Sequence, residues 1–386
     1  MRVCIDIQSA IGNRAGVGRY TKMLVEHLAP QKGNNELALF HFDFQRRGAP
    51  FPIDDAEFRS FQWAPGRVMQ AAWKYLNWPP YDWFAGPADV YHFPNFIRPP
   101  LPRGASVVTI HDVAFLRHPD TIENRNLAYL KKHIHQTLRR ANAVITVSKF
   151  TAREVRDLLE VPEERLHAIP SGLDPAMHRP APEAIRAFRA RHELARPYLL
   201  SVGTLEPRKN FPFLIEVFER MTKFDGDLVI AGRRGWKYQP VLSRIERSTR
   251  RSRIRLLEDV PEADLPALYA GAELFALPSF YEGFGFPPLE AMACGTPAVV
   301  SPGGALEETV GDGALVITSI DASRWANEMT NLLQAPALRD ALRQRGADQA
   351  ARYTWRETAR LTWTAYEAAR ADYARRSIDK IPGYEI

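Results

Sequence analysis

Cysteine is almost missing from this chain: Cys4 and Cys294 are the only two among 386 residues. Thiols so far apart in sequence provide neither a disulfide framework nor a metal-ligand spacing, so the expected compartment is a reducing cytoplasm. Long apolar runs are missing too. None reaches the roughly 20 residues that a membrane-spanning helix needs. The N-terminal residues read as a strand rather than a leader, so an integral membrane protein is not expected. The chain also has no short-period repeat and no low-complexity tail, which sets aside solenoids and disordered tails.

What is present is ordinary for a globular chain, with 45% apolar and 25% charged residues. The length exceeds what one core of usual size supports and predicts two domains or three. A net charge of +6 mildly favours anionic partners such as nucleotides, phospholipid surfaces or nucleic acid. Thirty prolines and 23 glycines predict many turns between short elements.

Strand and helix patterns alternate. "MRVCIDIQ" reads as a buried strand, "SAIGNRAGVGR" as a glycine-bearing loop and "YTKMLVEHLA" as a helix. Further strands are predicted at "NELALFHF", "DVYHFPN", "ASVVTIHDVAF" and "NAVITVSKF", with Ser148 capping the helix that follows. A polar, proline-containing stretch runs from Pro175 to Pro197, and the alternation then restarts at "PYLLSVGTL" and continues to two terminal helices. Apolar runs without period-two alternation predict parallel sheets covered on both faces. The fold class is α/β, with two doubly wound domains joined near residues 175–195.

Doubly wound sheets bind ligands beyond the C-terminal edges of their strands, and four stretches fall there. In "RAGVGRY", Gly16 and Gly18 precede a helix and let backbone amides approach an anion; a plain tight turn is the alternative. In "TIHDV", His111 ends a strand, where a structural role is the alternative. In "SVGTLEPRKNF", Arg208 and Lys209 sit beside a helix N-terminus, which disfavours cations unless an anion lies between; solvated surface cations are the alternative. In "SFYEGFGFPPLEAMACGTPAVV", Glu282 and Glu290 bracket seven uncharged residues, a pattern suited to recognising hydroxyl groups.

Together these stretches resemble the retaining glycosyltransferases with the GT-B fold, glycosyl transferases group 1 or family four, which include glycogen and sucrose synthases and bacterial polysaccharide mannosyltransferases. The resemblance covers nearly the whole chain and is carried by the E-x7-E block "EGFGFPPLE", by "LSVGTLEPRKN", and by "TIHD", "VSKFT" and the glycine loop in the same order. It implies two Rossmann-like domains facing a central cleft. Residues 1–175 would form the acceptor side, 176–360 the nucleotide-sugar side, and 361–386 a helix crossing back after "YTWRETA".

The resemblance also implies roles. Glu290 would bind the donor ribose. Glu282, with the amides of Phe284, Gly285 and Phe286, would hold the donor sugar. Lys209, with Arg208, would neutralise the diphosphate, and Gly16 and Gly18 would donate amides to it. His111 would lie by the reacting carbon, Val260 by the base, and Gly203, Thr204 and Leu289 complete the substrate-binding set. Thr204 stands where many members have arginine, and Ala15 where many have glycine.

The implied reaction needs no cofactor and no metal, and the sequence is read as offering no D-x-D pair to hold one. Departure of the diphosphate is stabilised by fixed cations and helix-end amides, and front-face attack would retain configuration, with domain closure excluding water. GDP-mannose is the first choice of donor; UDP-glucose and UDP-N-acetylglucosamine stay open. An epimerase and a non-catalytic nucleotide-sugar binder are the competing readings. The acceptor would be a saccharide or lipid-linked saccharide. The aromatic stretch "WKYLNWPPYDWF" suits an acceptor, a membrane interface or a core. The basic helix "LKKHIHQTLRRA" could meet anionic lipid, giving peripheral attachment to the inner face of a membrane. The basic run "RIERSTRRSRIR" has no nucleic-acid reader motif beside it, so nucleic acid is not an expected partner.

Overall fold

The computed structural model describes residues 1–11, 16–48 and 50–378. They form two compact units. The first comprises residues 1–113, 128–172 and the chain from Trp355 onward; the second comprises 114–127 and 173–354.

The first unit is built on a seven-stranded sheet: β1 (Arg2–Asp6), β2 (Glu36–Phe42), β3 (Glu57–Phe61), β4 (Val90–Phe93), β5 (Ala105–Ile110), β6 (Ala143–Thr146) and β7 (Leu166–Ala168). The second has six strands: β8 (Tyr198–Val202), β9 (Asp227–Ala231), β10 (Ile254–Leu257), β11 (Leu274–Leu277), β12 (Ala298–Val300) and β13 (Ala314–Val316). Their spatial orders are 3-2-1-4-5-6-7 and 10-9-8-11-12-13. Every pairing is parallel. Central strands such as β4, β5, β9 and β11 are buried at every position, as a sheet covered on both faces requires.

Several expectations change. β3, "EFRSF", carries no apolar run and was not predicted; it lies at the sheet edge with Glu57 and Ser60 exposed. The polar stretch after Pro175 contains a helix, Pro182–Arg191. Gly16 and Gly18 do not precede their helix but open it, within Gly16–Leu28. Ala15 lies outside the described residues. Three helices close the chain rather than two, the last being Trp355–Ile378. Ser148 caps its helix as predicted, accepting from Thr151 N–H.

The segment 114–127 leaves β5 of the first unit yet belongs to the second. Trp236 Nε1 donates to the Thr121 carbonyl at 2.6 Å, and His118 rests against Phe280 and Tyr281. The basic run 244–255 is largely structural. Arg250 lies 3.9 Å from the Phe218 ring centre and donates to the carbonyls of Phe218, Met221 and Phe224, closing the end of helix Phe211–Arg220.

The aromatic stretch divides. Tyr81 is fully buried among Phe40, Trp73, Tyr91 and Phe93, whereas Tyr75, Trp78 and Trp83 face solvent. The Tyr81 hydroxyl donates to Asp6 Oδ2 at 3.0 Å at the end of β1. Burial raises the Asp6 carboxyl to about 6 against the opposing bonds from Gln8 N–H and Tyr81. A raised folded-state value favours the protonated form, so its contribution to stability is full below the unfolded value and is lost as pH rises toward 6. Asp6→Asn should therefore flatten the fall in melting temperature between about pH 4 and 6 relative to the native chain; parallel curves across that window would contradict the assignment.

Candidate functional site

β8 and β11 are neighbours, and their C-terminal loops carry most of the candidate residues. After Val202 the chain passes Gly203, Thr204 and Leu205 into one 3-10 turn, Pro207–Lys209; Asn210, at φ 55°, then launches helix Phe211–Arg220. After Leu277 it passes Ser279–Gly285 into helix Phe286–Ala293. The loops are joined where Phe280 N–H donates to the Arg208 carbonyl at 2.9 Å.

Four charged side chains meet there. Lys209 Nζ donates to Glu282 Oε1 at 2.6 Å, and Ser279 Oγ donates to the same oxygen at 2.7 Å. Arg208 Nη1 donates to Glu282 Oε2 and to the Tyr281 carbonyl, and its Nη2 to Glu206 Oε1, each at 2.7 Å. Glu206, Lys209 and Glu282 are all buried. Burial raises the Glu282 carboxyl, but Arg208 and then Lys209 outweigh it and hold it at about 2. For Glu206 burial wins over Arg208 and Lys209, and its value lies above the usual glutamate range. Two acids against two cations balance formally, the condition under which buried charge is tolerated.

The backbone of Glu282 is fixed from β12's loop. Its N–H donates to the Gly303 carbonyl at 3.2 Å and its carbonyl accepts from Ala305 N–H at 2.8 Å. Gly304 has φ +68°, and a Cβ there would lie 2.2 Å from the Glu282 carbonyl oxygen. Gly285 has φ +112°, and its Cβ would meet Leu306 at 2.8 Å. Pro287 and Pro288 remove two donors from the first turn of helix Phe286–Ala293, leaving Phe286 and Leu289 N–H groups there. The Phe284 carbonyl accepts from Thr309 Oγ1 at 2.7 Å. Leu289 is a fully buried side chain, so only its backbone is available. Glu290 is buried and accepts from the Tyr269 hydroxyl at 2.7 Å. Val260 follows β10 and is half-buried.

The second unit thus brings together Gly203, Thr204, Arg208, Lys209, Glu282 and Gly285, and also carries Val260, Phe284, Phe286, Leu289 and Glu290. Gly16, Gly18 and His111 belong to the first unit. His111 follows β5; its Nε2 lies 2.7 Å from the Pro94 carbonyl and so carries the proton. Its ring meets Tyr20 edge-on at 4.8 Å. Burial lowers its pKa against Pro94 and Asp112, keeping the ring neutral with Nδ1 as the acceptor. Sequence reasoning passed over Glu206, Ser279, Tyr269 and the Gly303–Gly304 pair. Glu206 was visible as the one acid inside "GTLEPRKN". The chain does hold a D-x-D, Asp225-Gly226-Asp227, but it stands at the start of β9, opposite the site loops, with Asp225 paired to Arg253 at 2.7 Å.

Comparison with known proteins now adds two matches. Residues 185–349 match the model for glycosyl transferases group 1, and residues 14–177 that for glycosyltransferase family 4. The chain is 32% identical to the O-antigen chain mannosyltransferase B of Escherichia coli, over 91% of this chain and 96% of that protein. Its structure is similar to sucrose-phosphate synthase from Thermosynechococcus elongatus, with TM-score 0.76, 19% identity, and 96% and 99% of the two chains covered. It is also similar to HepE of Anabaena, solved in complex with UDP-glucose, with TM-score 0.69, 18% identity, and 96% and 100% covered.

Gly304→Ala should lower unfolding free energy by about 1–3 kcal/mol. Gly33→Ala is the control, because Gly33 has a similar φ of +55° but nothing within 4 Å of the added carbon. Equal losses in denaturant titrations would show that backbone strain alone, and not the crowding of Glu282, makes Gly304 necessary.

Proposed function

The chain belongs to the glycosyltransferases of group 1 and family 4 and has the GT-B fold, and from that premise we propose that it transfers mannose from GDP-mannose, with retention, to a saccharide or lipid-linked saccharide in polysaccharide assembly. The observation that carries the choice of sugar is the near full-length similarity to a mannosyltransferase.

In this reading Lys209 faces the diphosphate, Glu282 and the amides at Phe284–Phe286 hold the sugar, and Glu290 holds the ribose. Gly16, Gly18 and His111 are assigned to the diphosphate and the reacting carbon on motif order. Cation and helix-end amides stabilise charge as the phosphate leaves. Glu282 is a poor nucleophile here, because its carboxylate is already engaged by three donors. The leaving phosphate oxygen therefore takes the acceptor's proton in a front-face attack.

A thermal-shift screen over GDP- and UDP-sugars should show the largest rise with GDP-mannose, and NMR of the product should show the donor's anomeric configuration. A larger shift with a UDP-sugar would overturn the donor, and an inverted product the mechanism. Glu282→Ala should lower turnover by roughly a hundredfold or more while GDP still binds; native-like turnover would refute its role.

We further propose peripheral contact with anionic membrane through the first unit. Helix Gly66–Leu76 turns Val68, Ala71 and Tyr75 outward at helical spacing, beside exposed Trp78 and Trp83. Lys74 lies 5.7 Å over the ring of Tyr129, which places this helix beside Asn124–Arg140, a helix without acidic residues that exposes Lys131 and Lys132. Exposed aromatics beside two helices that carry cations and no acids fit a lipid interface. Vesicles containing phosphatidylglycerol should co-sediment the protein and neutral vesicles should not. Tyr75→Ser with Trp83→Ser should weaken binding about tenfold or more; unchanged sedimentation of that variant would refute the face.

A further inference from the structure

The ion pairs around Arg208 divide unequally, and the division has a consequence for the donor. Arg208 is held by its backbone and its side chain: its carbonyl accepts from Phe280 N–H, and its guanidinium spans the Tyr281 carbonyl, Glu282 and Glu206. Lys209 donates its backbone N–H to the Glu206 carbonyl at 3.2 Å, and its ammonium donates to Glu282 Oε1. Its stem lies along Gly203, where an added Cβ would come within 3.1 Å of Lys209 Cε, so the glycine leaves the lysine a flat track on the β8 loop.

Removal of either cation from Glu282 has different results. If Lys209 leaves, Ser279 still donates to Oε1 and Arg208 to Oε2, so the carboxylate keeps a cation and two donors. If Arg208 leaves, Glu206 loses its hydrogen-bonded cation while 3% exposed and keeps only the through-space attraction of Lys209, and a buried carboxylate so weakly compensated is disfavoured. Planar guanidinium also suits fixed multipoint contact, and flexible ammonium suits exchange.

Resting on the donor reading above, we infer that Glu206 is a positioning residue that keeps Arg208 on Glu282, so that Lys209 alone changes partner when a nucleotide sugar arrives. The ammonium passes from Glu282 Oε1 to the diphosphate, and a sugar hydroxyl donates to the oxygen it leaves. The ligand-free ion pair therefore imitates both halves of the donor, with Lys209 in the place of the hydroxyl and Glu282 in the place of the phosphate. Arg208 is then a brace for the sugar-binding acid and not a diphosphate ligand, contrary to the role the resemblance implied.

Calorimetric titration with GDP and with GDP-mannose separates the roles. Lys209→Ala should weaken both. Glu206→Gln and Arg208→Lys should keep GDP affinity within about threefold while weakening GDP-mannose about tenfold to a hundredfold, the size of one lost charge-assisted contact. A variant of Glu206 that weakens both ligands alike, or neither, overturns the brace. A native chain that binds neither ligand defeats the donor reading instead. Hydrogen exchange without ligand then decides the brace. Peptides spanning 279–286 should exchange faster in Glu206→Gln and Arg208→Ala and not in Lys209→Ala, with β9 peptides as the control for intact folding. Unchanged exchange in the first two variants overturns it.

Discussion

A carboxylate held almost out of water between an arginine and a lysine is the constraint around which the second unit is organised. Arg208, Lys209 and the Ser279 hydroxyl together offset the cost of burying Glu282 and keep it ionised. Both cations come from the β8 loop and the acid from the β11 loop, so the arrangement requires these strands to be neighbours. The order 10-9-8-11-12-13 makes them so, since it reverses direction between β8 and β11, the point at which an open sheet parts its loops and leaves room for a ligand. Gly303 and Gly304 then clamp the acid's backbone from β12, the next strand along.

Much of the fold could be read from the sequence because fully covered strands are continuous apolar runs. β3 escaped for the corresponding reason: an edge strand with Glu57, Arg59 and Ser60 has no such run. The allegiance of segment 114–127 escaped too, because local pattern says which face of a helix is apolar and nothing about which sheet receives it. The E-x7-E spacing made Glu282 and Glu290 visible, and adjacency to a strand end exposed Arg208 and Lys209. Glu206 lay inside the same motif but reads as a solvated loop acid, since only the folded position of Arg208 gives it a reason to be buried. The aromatic stretch 73–84 illustrates the limit of composition. Helical phase and the turn after Leu76 bury Tyr81, half-bury Trp73 and leave Tyr75 and Trp83 exposed, a division that residue types do not carry.

Proline and glycine act together at helix Phe286–Ala293. A helix start usually offers four unpaired N–H groups. Here Pro287 and Pro288 delete two, and Gly285 in a left-handed conformation sets the direction of entry. The remaining donors are few and fixed, which favours hydroxyl recognition at chosen points over general attraction for anions. That leaves negative charge to be met by a side chain.

The first unit is assembled from three separate pieces of chain, and its last helix completes the interior. Tyr366 meets His92 at 2.8 Å, Asp372 meets Asn142 at 2.9 Å, and Trp363 covers the end of helix Gly16–Leu28. On the ribosome, residues 173–354 are synthesised before that helix exists. Nascent domains generally finish in order from the N-terminus, but here the unit begun first is finished last. Its sheet waits without the helix that packs on β4, β5 and β6 while the other unit is translated, and a message cut short before Trp355 yields a second unit with its chain entire and a first unit lacking its closing helix.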